Sequence, residues 1–340
     1  MEMTSRERVM AALNKQPVDR LPVISVCQHA TYEQMEKLNS YWPDALNDAG
    51  LMAKLAGGGQ SILGFDAVRV PFCQTHEAEA LGAGLKDGGK EGLPSIKVHP
   101  YKIGDTVDFP DDFLSRGRIP KLLEAIRILK DTLGDKVIIM GGIIGPFSIA
   151  GQIMDITAML MEAYRKPQNV VHYVEMGEKA GTMLGKAMIE AGADVIVIED
   201  MMASLDMISP PIFRELAMPY EKKQVEALSV PTIIHICGKL NNIMVDIAKT
   251  GCTAISCEPV VNIPLVLEKF AAEGITTPLI GAVDPVNTLF QGNVAKVVAE
   301  TKENIAKGFS LISPGCAVPP ATKTENLTAI VDTVREVSNQ

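Results

Sequence analysis

The sequence predicts an α/β fold, a TIM (β/α)8 barrel formed by one domain that spans residues 1–340. Eight short apolar runs alternate with longer amphipathic segments, a rhythm typical of βα units. The runs are nearly all apolar, which indicates parallel strands covered on both faces. A doubly wound open sheet would show the same rhythm, but no G-x-G-x-x-G motif follows the first run. The barrel is therefore favoured, and barrels of this length form single domains.

The elements follow in chain order. Thr4 and Glu7 have the spacing of a capping box and are followed by apolar residues at helical spacing, which predicts a first helix. The predicted strands are 22–26, 66–71, 137–142, 194–199, 231–236, 253–257, 278–283 and 309–313. The predicted helices are 43–56, 119–133, 167–191, 210–227, 240–250, 263–272, 293–306 and 324–337. Glycines such as Gly192 and Gly251 stop a helix just before the next strand.

Two segments depart from this rhythm. Residues 73–117 are rich in Gly, Lys, Pro and Asp, which predicts an insertion after the second strand that covers one end of the barrel. Residues 137–154 carry no charge over the length of a membrane span, but glycines and Pro146 interrupt them. We interpret this stretch as a buried strand that runs into a loop.

Composition excludes several classes of protein. The chain has 41 acidic and 32 basic residues, a net charge of −9, and no long Lys/Arg run, so nucleic acid is disfavoured as a partner. Six cysteines are too sparse for a disulfide scaffold, and the charged start MEMTSRERVMAAL lacks the apolar stretch of a signal peptide. The sequence therefore predicts a cytoplasmic protein with reduced thiols and no membrane partner.

Three candidate metal ligands fall at predicted strand ends. Alternation along the strand places His235 and Cys237 on the same side, and Cys316 follows the last strand in a glycine-bearing turn. Active sites of such barrels lie at the carboxyl ends of the strands. One nitrogen and two thiolates form a zinc donor set that leaves a fourth position for substrate. The alternative is that both cysteines are small buried hydrophobic residues and His235 is a core histidine.

Acidic residues follow other strands. Glu258 could be a reversible fourth ligand or a proton acceptor for an incoming thiol, or it could cap a helix or face solvent. Glu199, Asp200 and Asp284 could line the same mouth.

The remaining candidates are predicted to be structural. Cys27 and Cys73 lack a closely spaced partner and are expected to be packing residues. Arg69, inside an apolar strand, needs a partner, and a core carboxylate is favoured over a substrate anion.

The donor set itself indicates a chemistry. Zinc bound by two cysteines and a neutral histidine carries no net charge, so it can lower the pKa of a bound thiol while leaving the thiolate nucleophilic. Zinc held by histidines alone is used more often to activate water. The ligands therefore favour alkyl transfer to sulfur over hydrolysis.

Four motifs carry a resemblance to a known family: His-Ile-Cys-Gly-Lys at 235–239, Ser-Cys-Glu at 256–258, Gly-Ala-Val-Asp-Pro at 281–285 and Ser-Pro-Gly-Cys-Ala-Val-Pro-Pro at 313–320. With them the chain resembles the methylcobamide:coenzyme M methyltransferases of the uroporphyrinogen decarboxylase superfamily, nearly from end to end. The resemblance implies a zinc-containing TIM barrel that transfers a methyl group from a methylated corrinoid protein to the thiol of coenzyme M. It implies that His235, Cys237 and Cys316 bind Zn²⁺, with Glu258 beside the metal. It also implies that a zinc-bound thiolate attacks methyl-Co(III), releasing a thioether and Co(I).

Three alternatives remain open. Related methyltransferases use other acceptors, including tetrahydrofolate. The superfamily's decarboxylases have an arginine-rich stretch after the first strand, whereas residues 25–30 here contain no arginine, so a metal-free porphyrin decarboxylase is disfavoured. A non-catalytic corrinoid-binding or scaffold barrel is the third.

Overall fold

A computed structural model of the chain describes residues 2–339. The strands are β1 Ala67–Val70, β2 Gly84–Lys86, β3 Ser95–Val98, β4 Ile138–Ile144, β5 Val195–Glu199, β6 Thr232–His235, β7 Ala254–Ser256, β8 Leu279–Val283 and β9 Leu311–Pro314. The α-helices are α1 Ser5–Leu13, α2 Tyr32–Leu38, α3 Ala49–Ser61, α4 His76–Ala80, α5 Ile119–Leu133, α6 Pro146–Ile153, α7 Ile156–Arg165, α8 Val171–Ala191, α9 Pro210–Ile212, α10 Met218–Ala227, α11 Met244–Ala248, α12 Ile263–Glu273, α13 Val294–Lys307 and α14 Thr324–Ser338. Wider π-helical turns, Phe213–Ala217 and Pro285–Phe290, join α9 to α10 and follow β8.

Within residues 2–339 the main sheet is parallel and curled, with seven strands in the order β1-β4-β5-β6-β7-β8-β9. Except between β2 and β3, each strand is followed by one or more helices before the next strand begins. This alternation confirms the predicted α/β class. The register places His235 opposite Glu199 on one side and opposite Ser256 on the other. The carboxyl ends of β5, β6 and β7 therefore present neighbouring side chains at one end of the sheet.

The first predicted strand, 22–26, is not a strand in the structure, so the count of eight is not confirmed. Val23 alone forms a parallel bridge, to Ile312 of β9. Pro22 has no amide hydrogen to continue a ladder, and the amide of Val26 donates to Oγ of Ser313 rather than to a carbonyl of β9. On the side of β1, the carbonyl of Val23 accepts a hydrogen bond from the Asp66 amide. The segment spans the gap between β9 and β1 through these few bonds.

A buried ion cluster holds that segment in place. The Asp66 carboxylate is fully buried and accepts hydrogen bonds from Arg8 Nη1 at 2.8 Å, from Arg20 Nη1 at 2.8 Å and from the amide of Val23 at 2.9 Å. Arg8, on α1, is itself buried. The same carboxylate thus joins α1, the bridging segment and the start of β1.

Apolar side chains fill both faces of the sheet. The smaller of two core clusters combines residues of α1 with residues from successive strands, so α1 closes the amino-terminal end of the curled sheet. Its strand members include Ala67, Ile138, Met140, Val195, Val197, Ile233, Ala254, Ile280 and Leu311. The larger cluster lies between the sheet and the surrounding helices.

The two unusual segments are also structured. Residues 73–117 contain α4 and an antiparallel hairpin of β2 and β3; that they form an insertion stays a prediction. The uncharged stretch 137–154 begins with the expected buried strand, β4, but continues as the buried helix α6 rather than a loop. Pro146 suits the first turn of that helix, where its missing N–H costs nothing. Among residues 2–339, none of the helices has the length and apolar character needed to cross a membrane.

A buried carboxyl pair makes stability depend on pH. Glu221 of α10 and Asp200, just past β5, are both fully buried. Burial raises the pKa of Asp200 to about 6 even though the Ser148 hydroxyl and amide donate to it. Burial and then the neighbouring Asp200 raise the pKa of Glu221 well above its usual range. Because both folded pKa values are raised, this contribution to stability is complete below about pH 4 and is lost as pH rises through about 6.

We therefore expect Glu221→Gln, which cannot ionise, to flatten this decline. The difference in Tm between variant and wild type should grow in the variant's favour from pH 5 to pH 8, measured by thermal circular dichroism. Glu226→Gln, on the exposed side of the same helix, is the matched control and should follow the wild-type curve. A variant curve parallel to wild type at every pH would show that Glu221 is ionised in the fold.

Candidate metal centre

The three predicted ligands meet at the carboxyl ends of β6 and β9. Nε2 of His235 lies 3.5 Å from Sγ of Cys237, and that sulfur lies 3.5 Å from Sγ of Cys316. His235 ends β6, Cys237 follows it by two residues, and Cys316 follows β9. The structure therefore brings together residues that are about 80 positions apart in the chain.

The imidazole of His235 is held in an orientation suited to a ligand. Its Nδ1 lies 3.0 Å from Oγ of Ser256, the residue paired with it on β7. With the proton on Nδ1, His235 donates to that hydroxyl and turns the lone pair of Nε2 toward the thiols. Histidines that bind metals usually engage their second nitrogen in this way, because that bond fixes the tautomer and the ring.

Glu258 lies on one side of the sulfurs. It is half-buried two residues beyond β7, and one of its oxygens lies within 4.8 Å of the sulfurs of both Cys237 and Cys316. Burial, followed by the charge on Cys316, raises the pKa of its carboxyl. The position fits either suggested role, a ligand or a proton acceptor.

Cys27 also lies beside the cluster, and reasoning from the sequence missed it. Its sulfur, Sγ of Cys316 and a ring nitrogen of His235 all lie within 4.8 Å of one another. The interpretation of Cys27 as a packing residue overlooked this placement because Cys27 has no closely spaced partner. The available signal was the fold itself, since the first and last segments of a closed barrel are neighbours.

The thiols concentrate negative charge at the cluster. Contacts with the thiols of Cys237 and Cys27, opposed by burial and aided by His235, hold the pKa of Cys316 well below its usual range. The contact with Cys316, with burial, raises the pKa of both Cys237 and Cys27. Soft sulfur and imidazole donors around a thiolate match the preferences of Zn²⁺, so the donor set fits the implied metal.

The other acidic candidates have structural contacts. Glu199 is buried and pairs with Arg69, whose Nη2 lies 2.8 Å from Oε2, which confirms the expected core carboxylate partner for that arginine. Asp200 accepts hydrogen bonds from the first turn of α6. Asp284 accepts hydrogen bonds from the amides of Val286 and Asn287 and so caps the turn after β8.

Two other thiols lie in different surroundings. Cys73 lies 3.1 Å from Nη1 of Arg118 and 3.7 Å from Nδ1 of His76. Cys252 is a buried thiol at the carbonyl of Ile247, just before β7.

A cavity of about 350 Å³ adjoins the cluster. Gln28 and Ala317 line it, and these residues directly follow Cys27 and Cys316. Arg69, Gln74 and Gln152 supply polar groups, and the hairpin contributes Leu93 to Ile96. A larger cavity of about 710 Å³ lies at the amino-terminal end of β8 and is unrelated to the donors. The smaller cavity has room for a small polar molecule beside the residues that follow two of the thiols.

Comparisons with known proteins identify the family and several relatives of the chain. The uroporphyrinogen decarboxylase (URO-D) family model matches residues 4–337. Methylcobamide:CoM methyltransferase MtaA of Methanosarcina barkeri is 36% identical over 331 residues, and methylcobamide:CoM methyltransferase MtbA of Methanosarcina acetivorans is 38% identical over 336 residues. Each alignment covers 97% of both chains. A solved structure described as a methyltransferase from Methanosarcina mazei superposes with a TM-score of 0.94 at 36% identity, covering 99% of both chains.

The chain belongs to the uroporphyrinogen decarboxylase family. Within that family, the resemblance to the methylcobamide:coenzyme M methyltransferases that the motifs indicated is confirmed by relatives of that name along nearly the whole chain.

Proposed function

We propose that this protein is a zinc-dependent methyltransferase that moves a methyl group from a methylated corrinoid protein to the thiol of coenzyme M. Its class, corrinoid-dependent methyltransferase, follows from its relatives named methylcobamide:CoM methyltransferases. The observation that carries the proposal is the convergence of Nε2 of His235 with the sulfurs of Cys237 and Cys316 beside a cavity.

His235, Cys237 and Cys316 would hold the Zn²⁺. When bound, this ion supplies a Lewis acid that lowers the pKa of the acceptor thiol, while its thiolate ligands keep the acceptor sulfur nucleophilic. Ser256 keeps the imidazole of His235 turned toward the metal position. Glu258, close to Cys237 and Cys316, is placed to accept the proton that the acceptor thiol gives up.

The cavity suits an acceptor with an anionic end. Arg69 lines it; Glu199 balances the charge of Arg69 through Nη2, but among the described residues Nε of Arg69 has no hydrogen-bond partner and remains a free donor. Gln28 and Gln152 add amide groups on the same lining. A sulfonate could accept hydrogen bonds from these donors while the thiol of the same small molecule reaches Cys316. This arrangement favours coenzyme M over a bulky acceptor such as tetrahydrofolate.

Methyl transfer forms one bond and breaks another. The acceptor sulfur forms a bond to the methyl carbon as the Co–C bond of the methylcobamide breaks, and the electron pair of that bond stays on cobalt as Co(I). The thiol proton passes to Glu258. The residues around the cavity hold the acceptor and exclude water, while the corrinoid protein presents the methyl group at the open mouth of the sheet.

A panel of acceptors tests the proposal. The zinc-loaded protein is mixed with methylcobalamin and, in turn, with coenzyme M, 2-mercaptoethanol, homocysteine and tetrahydrofolate, and the corrinoid spectrum is followed. We expect turnover with coenzyme M and a kcat/KM at least about tenfold lower with 2-mercaptoethanol, which has the thiol but lacks the sulfonate. Turnover with tetrahydrofolate alone would contradict the acceptor. No spectral change with stoichiometric zinc present would contradict the methyl transfer, and a protein purified without zinc would favour the decarboxylase.

A further inference from the structure

Exposed apolar side chains are concentrated at one part of the mouth of the sheet. Among residues 2–339, five of the twelve large apolar side chains that are exposed lie in the loops and first helical turns after β7 and β8. We call this set the β7–β8 rim: Val260, Leu265, Val286, Phe290 and Val294. Such a concentration of apolar groups on a surface usually marks a contact with another molecule.

Hydrogen bonds hold the rim in a fixed shape. After β8, Asp284 accepts hydrogen bonds from the amides of Val286 and Asn287, and its second oxygen accepts one from the side chain of Asn287. After β7, the side chain of Asn262 caps α12 by accepting a hydrogen bond from the amide of Leu265. Because these turns are already ordered, covering the rim costs less conformational entropy than covering a loose loop.

The rim adjoins the candidate metal centre. Val260 lies two residues beyond Glu258, in the loop that carries this carboxylate. Pro259, in the same loop, packs on the turn that carries Cys316, since a Cβ built at Gly315 would lie 2.8 Å from Cδ of Pro259. The amide of Gly315 also donates to the last carbonyl of β8. A molecule that covers the rim therefore lies beside the donor cluster.

The cavity proposed for the acceptor lies on the other side of the mouth. It is lined by Arg69 of β1, by Gln152 of α6, which follows β4, and by the hairpin of β2 and β3. In the strand order β1-β4-β5-β6-β7-β8-β9, β7 is the fourth strand after β1, and β8 is the fourth strand after β4. Because the sheet is curled and Val23 bridges β9 toward β1, these two pairs of strands face each other across the mouth.

We propose that the β7–β8 rim is the docking surface for the protein that carries the methylated corrinoid. The inference rests on the proposed function, because that reaction needs cobalt to reach the acceptor sulfur at the donor cluster. The acceptor fills the cavity on the side of β1 and β4, so the methyl donor has to approach from the side that the acceptor leaves open. That side carries the rim.

The chemistry of the rim suits a protein partner of this kind. Apolar and aromatic side chains, such as Phe290, dominate the energy of protein–protein contacts. A second copy of this chain seated on the rim would obstruct the approach to the donor cluster, whereas the corrinoid protein has to occupy that place in every turnover. The position beside the cluster therefore favours the corrinoid protein over self-association.

Two methyl donors separate docking from chemistry. Free methylcobalamin needs no docking surface, whereas a methylated corrinoid protein does, and the probe is such a protein purified from Methanosarcina barkeri, the source of one relative. With coenzyme M as the acceptor, we expect Phe290→Asp to lower kcat/KM for the corrinoid protein at least about tenfold. With methylcobalamin, its rate should stay within about twofold of wild type.

Leu265 and Leu267 of α12 provide a matched pair. Their exposed fractions are 38% and 37%, but Leu267 lines the cavity at the amino-terminal end of β8 rather than the rim. Leu265→Asp should repeat the selective loss expected for Phe290→Asp, whereas Leu267→Asp should not. Circular dichroism checks that each variant folds, and either rim variant alone can decide the test.

The contrary outcomes are distinct. Unchanged transfer from the corrinoid protein in the rim variants, or an equal loss with both donors, would overturn the docking proposal. The proposed function would survive either result if wild type transfers methyl groups from methylcobalamin to coenzyme M. A smaller assembly of Phe290→Asp in sedimentation, with both rates unchanged, would assign the rim to a second copy of this chain. A wild-type protein that uses neither donor would overturn the proposed function as well.

Discussion

Cys237→Ala should abolish methyl transfer and zinc binding together while the fold survives. The sulfur of Cys237 lies 3.5 Å from both Nε2 of His235 and Sγ of Cys316. Its removal therefore takes away the donor that contacts both of the other two. We expect kcat to fall by at least about a thousandfold, equivalent to about 4 kcal/mol of transition-state stabilisation. The fold should remain because Cys237 is only half-buried at the end of the sheet, above the apolar core.

Elemental analysis, steady-state rates and circular dichroism measure these three effects on one preparation. Cys252→Ala removes a different, buried thiol and should keep both zinc and activity. Global unfolding of Cys237→Ala would indicate a structural metal instead of a catalytic one. Full activity without zinc would contradict the role of the metal.

Asp66→Ala should cause a large loss of stability, about 3–5 kcal/mol. The carboxylate is fully buried and neutralises Arg8, which is 3% exposed, and Arg20. Removing it leaves Arg20 without its carboxylate, leaves the buried Arg8 with Asp19 alone, and frees the amide of Val23, which ties the bridging segment to β1. Urea unfolding followed by circular dichroism measures the change.

Asp112→Ala is the control, because its ion pair with Arg116 is exposed on both sides and such pairs contribute little. An unchanged urea midpoint for Asp66→Ala would show that the cluster is not needed to close the sheet. A loss as large for Asp112→Ala would contradict the distinction between buried and exposed pairs.

The site residues that could be predicted are those whose positions follow from local sequence patterns. The one that could not be predicted depends on contacts between distant parts of the chain. His235 and Cys237 lie on one strand end, so the period-two alternation was enough to place them together. Cys316 could be predicted as the third member because it follows the end of another strand, at the same edge of a parallel sheet. Cys27 could not be placed from local spacing, because its position depends on how the sheet closes. That closure involves the bridge from Val23 to Ile312 and the hydrogen bond from Val23 to Asp66, 43 residues further along the chain.

The fold shows the same division. Apolar runs predicted the seven strands of the curled sheet, because burial on both faces leaves a direct trace in composition. Residues 22–26 are equally apolar, yet Pro22 lacks an amide hydrogen and the amide of Val26 bonds the side chain of Ser313, so no continuous ladder forms. Gly145 and Pro146 looked like loop residues, whereas the side chain of Asp200 caps the helix that starts there. Apolar composition predicts which segments are buried, but it does not predict which backbone groups form hydrogen bonds.

The central claim is that the thiol of coenzyme M, bound at this site, takes the methyl group directly from cobalt. The most direct test incubates the zinc-loaded protein with methylcobalamin labelled with ¹³C in the methyl group and with coenzyme M. NMR should then show the label on the sulfur of coenzyme M, in an amount equal to the Co(I) detected by absorbance. Loss of the Co–C bond without label on that sulfur, or no loss at all, would contradict the account.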